Sequence, residues 1–210
     1  MAESIAQKVK MLRDATGAGP KDCKTALEAN DGDMEKAMDW LRERGIAKAE
    51  KKLGSDRTMN EGVIHTYQHF NKRLAVIVEV NCETDFVANT PDFQEFAKNL
   101  ALHIANTAPR YVKRDHVPEA VIQSEQEMQV RILKQDEKNA SKPDNILVKI
   151  VEGRMSKFYE EIVLMEQEYL LDDSKKVSDV LTELVAKVGE RVEVRRFARY
   201  ALGDNGAADA

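Results

Sequence analysis

The chain has 210 residues, 42% of them apolar and 33% charged, which is the balance of an ordinary globular protein able to bury one large or two modest cores. Its 32 basic and 37 acidic side chains leave a formal net charge of -5, so the molecule as a whole has no electrostatic pull toward nucleic acid or acidic membranes. Two cysteines, Cys23 and Cys82, lack CxxC spacing and argue against a disulfide framework or a zinc site, and no apolar run approaches the roughly 18 residues of a membrane span.

The opening "MAESIAQKVKMLRDATG" has neither an apolar h-region nor a transit-peptide composition, so a cytoplasmic location is expected. Ile5, Val9 and Leu12 recur at helical spacing behind a Ser4/Gln7 capping box. "TGAGP" stops that helix, and Pro20 suits the first turn of a second one, which runs to about Asn30. After "NDGD", Asp33 is placed to cap a third helix with Ala37, Trp40 and Leu41, which Gly45 is expected to end. Trp40 is the expected anchor of this small core.

"AKAEKKLGSD" reads as a partly helical linker closing in a flexible joint. "EGVIHTYQHF" and "KRLAVIVEVN" then read as a hairpin turning at Asn71-Lys72, the second strand apolar on both faces as if covered on both. Phe93, Phe96, Ala97, Leu100, Ala101 and Ile104 form the stripe of a helix laid on that sheet.

Helical patterns from about Pro118 to Lys138 and Pro143 to Glu166, with Ser141-Lys142-Pro143 between them, read as an antiparallel pair. Val177 to Val188 is a further amphipathic helix ended by Gly189, and "RVEVRRFARYAL" is a strand. The expected fold is α+β: a three-helix bundle over 1–46, a linker over 47–56, a core of antiparallel sheet and helices over 57–203, and a disordered tail over 204–210.

No phosphate-binding loop, dinucleotide fingerprint, HExxH, GxSxG or EF-hand loop occurs, so neither a cofactor nor bond-breaking chemistry is expected. His65 and His69, four apart on a strand, read as solvated or structural rather than as metal ligands. Glu79, Glu83 and Asp85 could be imagined as an acid–base set, but they read better as a polar strand end. Arg191, Arg195, Arg196 and Arg199, with Phe197 and Tyr200 for stacking, could meet phosphates, yet Arg195 and Arg196 should point to opposite faces of a strand. Cys23 and Cys82 read as buried small hydrophobes.

In "EVNCETDFVANTPDF" a strand gives way to a helix, with Phe86 between them. The residues alone leave two readings: Thr84 caps a turn with Phe86 packed beneath it, or Asp85 and Phe86 point outward.

That stretch, with "LRDATGAGPKDCKTALEANDGDMEKAMDWLRERGIAKAEKK", "FAKNLALHIANTAPRYVKRDHVPE", "KIVEGRMSKFYEEIVLMEQEYLLDD" and "VSDVLTELVAKVGERVEVRRFARYALG", resembles the bacterial translation elongation factor Ts family in its short form. The likeness runs in order from Met1 to Gly203. It implies a ubiquitin-associated-type N-terminal bundle, a dimerisation-type core, and exchange of guanine nucleotide on elongation factor Tu, the GTPase that carries aminoacyl-tRNA to the ribosome.

The family's Thr-Asp-Phe-Val signature maps onto Thr84, Asp85, Phe86 and Val87, implying that Asp85 and Phe86 enter a cleft beside the GTPase's Mg²⁺ and phosphate site. The family's N-terminal contact maps onto Leu12, Pro20 and Lys21, the last two standing where many relatives carry methionines. The implied partner is elongation factor Tu, GDP-bound or nucleotide-free, with a homodimer as a further expectation and no membrane or direct nucleic-acid partner. A peptide-binding adaptor and a ribosome-associated RNA module are the rival readings.

Overall fold

The computed structural model describes residues 4–56, 58–135 and 144–204. The chain divides into two compact units, Met1–Val63 with Asn81–Phe96 and Leu181–Glu193, and Ile64–Val80 with Ala97–Val180 and Val194–Ala210. The fold is α+β, as expected.

Three helices open the first unit: α1 (Ile5–Thr16), α2 (Pro20–Ala29) and α3 (Met34–Leu53). Their starts follow the local signals. Ser4 and Gln7 form the capping box, Pro20 occupies the first turn of α2, and Asp33 accepts from the Lys36 N–H. Leu12, Cys23, Ala26, Leu27, Ala37 and Leu41 make the buried core. Trp40 is only half-buried at its edge, with the Arg44 guanidinium 4.5 Å above the ring, so Leu12 and Leu27 fill the centre in its place.

Gly45 does not end α3, which continues to Leu53. One helical glycine costs about 1 kcal/mol relative to alanine, and the Ala, Lys, Glu and Leu that follow are strong helix formers. Tertiary packing supplies the rest of the reason: Ala49 is buried, and a Cβ built on Gly45 would lie 3.5 Å from the Ala186 Cβ. The segment expected as a linker is helical as far as Leu53, and Gly54 follows as its C-cap.

Strands β1 (Glu61–Gln68) and β2 (Leu74–Cys82) form the expected hairpin, closed by the His69 N–H on the Leu74 carbonyl, with Lys72 at φ 57 in the turn. Strand β5 (Val192–Ala201) joins them, giving the order β1-β2-β5. It runs antiparallel to β2: Arg196 meets Glu79, while Leu202 donates to the Arg73 carbonyl. Val76, Val78, Val80 and Cys82 are buried on one face of β2, but Ile77 between them is 44% exposed, so this strand is covered on one face only. On β5, Val192 and Val194 are buried whereas Arg195 and Arg196 are both exposed, so the alternation of burial expected from opposite faces stops after Val194.

The one-turn α4 (Asp85–Ala88) and the long α5 (Pro91–Thr107) follow β2. In the second unit, α6 (Glu119–Gln135) and α7 (Asp144–Ile162) form the antiparallel pair: Val121 and Ile122 near the start of α6 pack with Phe158, Tyr159 and Ile162 near the end of α7. The Ser141-Lys142-Pro143 connection lies outside the described residues.

A short hairpin, β3 (Glu168–Tyr169) with β4 (Asp172–Lys176), went unread in the sequence because its polar "DDSKK" carries no apolar alternation. Helix α8 (Val177–Val188) ends at Gly189 as expected. The tail from 205 onward lies outside the described residues.

Candidate functional site

A helix of one turn gains almost nothing from propagation, so α4 must be held by its ends. Thr84 is its N-cap and accepts from the Val87 N–H at 3.4 Å. At the other end the Asn89 amide donates to the Asp85 carbonyl at 2.8 Å, and the Thr90 hydroxyl donates to the Val87 carbonyl at 2.8 Å. Gln94, on α5, donates to the Ala88 carbonyl at 2.7 Å.

Val87 and Ala88 turn inward and are buried. Asp85 and Phe86 turn outward, Phe86 with 77% of its surface in water. Of the two readings the residues left open, the structure has the outward one for Asp85 and Phe86 together with the capping role for Thr84. An exposed apolar residue is common by itself. Here it stands beside a carboxylate at the tip of a turn whose backbone is bonded at both ends.

The joint before α4 is tied to the turn after α8. Thr84 gives its N–H and hydroxyl to the Glu190 carboxylate at 3.0 and 2.8 Å, and Glu83 accepts from the Arg191 N–H at 2.8 Å. Cys82 lies beneath, donating to the Thr84 carbonyl at 3.1 Å. Burial, with the Glu190 charge adding to it, pushes the Cys82 thiol up to about 11, so it is a neutral packing group near pH 7. Sequence reading did not single out Glu190, because it meets Thr84 across a separation of 106 residues that no local pattern reports.

The residues expected at an N-terminal contact are not alike. Pro20 and Lys21 are exposed at the start of α2, but Leu12 has no exposed surface and cannot meet a partner while the bundle is folded. An amphipathic stripe marks Leu12 as apolar without saying that it sits at the centre of the core; its neighbour Met11 is the exposed one. Val87, the last residue of the mapped signature and expected with it at the partner contact, packs inside.

Several of the other candidates have partners within the chain, while Arg195 and Tyr200 are exposed. Glu79 pairs with Arg196 at 2.7 Å, Arg199 pairs with Asp204 at 3.1 Å, and Arg191 lies 3.7 Å from Glu193. His69 is hydrogen-bonded to the Tyr67 hydroxyl at 2.9 Å. Cys23 and Cys82 are both free thiols and buried. Among the described residues no group of three or more His, Cys, Asp or Glu could hold a metal ion, and no helix is long and apolar enough to cross a membrane.

A family model described as Elongation factor TS matches residues 4–204. The chain is similar to the elongation factor Ts of Thermotoga neapolitana, at 51% identity over 94% of this chain and 96% of that protein. It is also similar to those of Thermosipho melanesiensis, at 48% identity over 95% and 98%, and of a Thermoanaerobacter species, at 51% identity over 95% of each. With the signature residues 84–87 on a braced turn inside the matched span, the chain belongs to the elongation factor Ts family of translation elongation factors.

Proposed function

We propose that this protein binds elongation factor Tu carrying GDP and speeds release of the nucleotide, so that GTP can take its place. The observation that carries the reading is the outward Asp85–Phe86 pair, a large apolar ring and a carboxylate on a turn bonded at both ends. In P-loop GTPases, GDP is held chiefly by backbone N–H groups and a lysine around its phosphates, with Mg²⁺ offsetting their charge. A rigid apolar tip that enters beside that cradle favours a form of the GTPase whose phosphate and metal contacts are disturbed. A carboxylate brought near the Mg²⁺ competes for its coordination.

The energetic demand is modest. Each tenfold loosening of GDP requires about 1.4 kcal/mol of differential binding. Burying one phenylalanine is worth about 1.5–3 kcal/mol, so Phe86 can supply one to two powers of ten. In this reading the protein catalyses exchange, breaks no covalent bond, needs no cofactor of its own and works in the cytoplasm.

The N-terminal bundle provides a second contact through Pro20 and Lys21, which are exposed at the start of α2. The test is release of a fluorescent GDP analogue from elongation factor Tu under excess unlabelled GDP. Substoichiometric amounts of this protein are expected to raise the release rate; an unchanged rate refutes the reading.

A further inference from the structure

Two short segments far apart in the sequence exchange carboxylates. Glu190 accepts both polar hydrogens of Thr84, and Glu83, the residue before Thr84, accepts the N–H of Arg191, the residue after Glu190. The result is a reciprocal clamp between the β2–α4 joint and the turn that leaves α8. Gly189, at φ 73, makes that turn in a backbone conformation that residues with a Cβ rarely adopt, and so brings Glu190 round to Thr84.

A plain N-cap needs no carboxylate behind it. Thr84 could satisfy the Val87 N–H with its hydroxyl alone, yet the same hydroxyl donates onward to Glu190. A chain of hydrogen bonds therefore runs from the first turn of α4 through Thr84 to an anionic acceptor, and such chains strengthen when they end on a charge. Because α4 is four residues long, the direction of its anchor sets the direction of Phe86.

We propose that Glu190 is a positioning residue for nucleotide release: it acts through Thr84, fixing the angle at which α4 presents Asp85 and Phe86. The inference rests on the exchange function proposed above and adds the residue that aims the tip.

The experiment uses Glu190→Ala, Glu190→Gln, Thr84→Val, Thr84→Ser and the double variant Thr84→Val/Glu190→Ala in the full chain. Release of the fluorescent GDP analogue is followed over a range of factor concentrations, separating the maximal rate from the half-saturating concentration. Amide hydrogen exchange is read at Thr84 and Val87.

Glu190→Ala should lower the maximal rate about tenfold, the scale of losing charge-assisted hydrogen bonds, with little change in half-saturation. Thr84→Ser should recover most of what Thr84→Val loses, and the double variant should be no slower than the slower single variant. The Thr84 and Val87 amides should exchange faster, and the thermal midpoint should fall by a few degrees with the protein still folded at the assay temperature. If Glu190→Ala unfolds, the near-isosteric Glu190→Gln, which keeps one acceptor oxygen, reads the same loss at reduced size.

Wild-type protein that fails to release nucleotide overturns the exchange reading and the positioning role with it. Wild-type protein that releases nucleotide while Glu190→Ala and Glu190→Gln match it overturns the positioning role alone.

Discussion

Phe86 keeps most of its surface in water while Val87 and Ala88 beside it are buried, so its ring contributes little to the fold. Phe86→Ala is expected to change the unfolding free energy by no more than about 0.5 kcal/mol, the range of surface substitutions. Its effect on GDP release should be far larger, a loss of about one to two powers of ten if the ring is buried against the partner. Asp85→Ala should lower release in the same direction and also leave the thermal midpoint in place. A Phe86→Ala protein that unfolds would restore the ring to the core.

His103 shows the opposite case, a polar residue wholly inside. Its Nδ1 accepts from the Leu170 N–H at 3.2 Å, so a neutral ring carries its proton on Nε2, 2.9 Å from the Gln167 Oε1. Burial holds its pKa below the ordinary 6.5, with the Gln167 hydrogen bond acting the other way. The unfolded chain takes the proton more readily, so His103's contribution to stability is full above that value and is lost as pH falls below it. Chemical denaturation across this range should show that decline, and His103→Gln should remove His103's share of the slope.

Among the elements, α3 is where local and tertiary signals part. Gly45 lies 3.5 Å from the Ala186 Cβ by the position its own Cβ would take, an ordinary contact distance. Gly45→Ala is therefore expected to stabilise the protein by about 0.5–1 kcal/mol through helix propensity, whereas Gly45→Leu should destabilise it by driving into Ala186; urea unfolding of the two variants checks both signs.

The helix starts at Ser4, Pro20 and Asp33 could be read from the chain because each cap is decided within four residues. The end of α3 could not, since burial of Ala49 outweighs one glycine. The one-sided cover of β2 escaped notice for a related reason: Ile77 is apolar whether or not anything lies over it. The Thr-Asp-Phe-Val turn was legible as a signature, but the buried places of Leu12 and Val87, and the tie from Thr84 to Glu190, depend on packing that no short window contains.

For the whole molecule the account is one of linkage. A factor that loosens GDP on its partner must itself be loosened by GDP, by the same factor, because the two equilibria close a cycle. Catalysis of exchange then needs no chemistry of its own, only unequal affinity for two forms of the GTPase, and the Asp85–Phe86 tip is the element proposed to create that inequality. The most direct measurement is calorimetric titration of this protein into nucleotide-free and into GDP-bound elongation factor Tu, with wild-type and Phe86→Ala chains side by side. The account predicts tighter binding to the nucleotide-free form, with the gap narrowed in Phe86→Ala; equal affinity of the wild-type chain for both forms would contradict it.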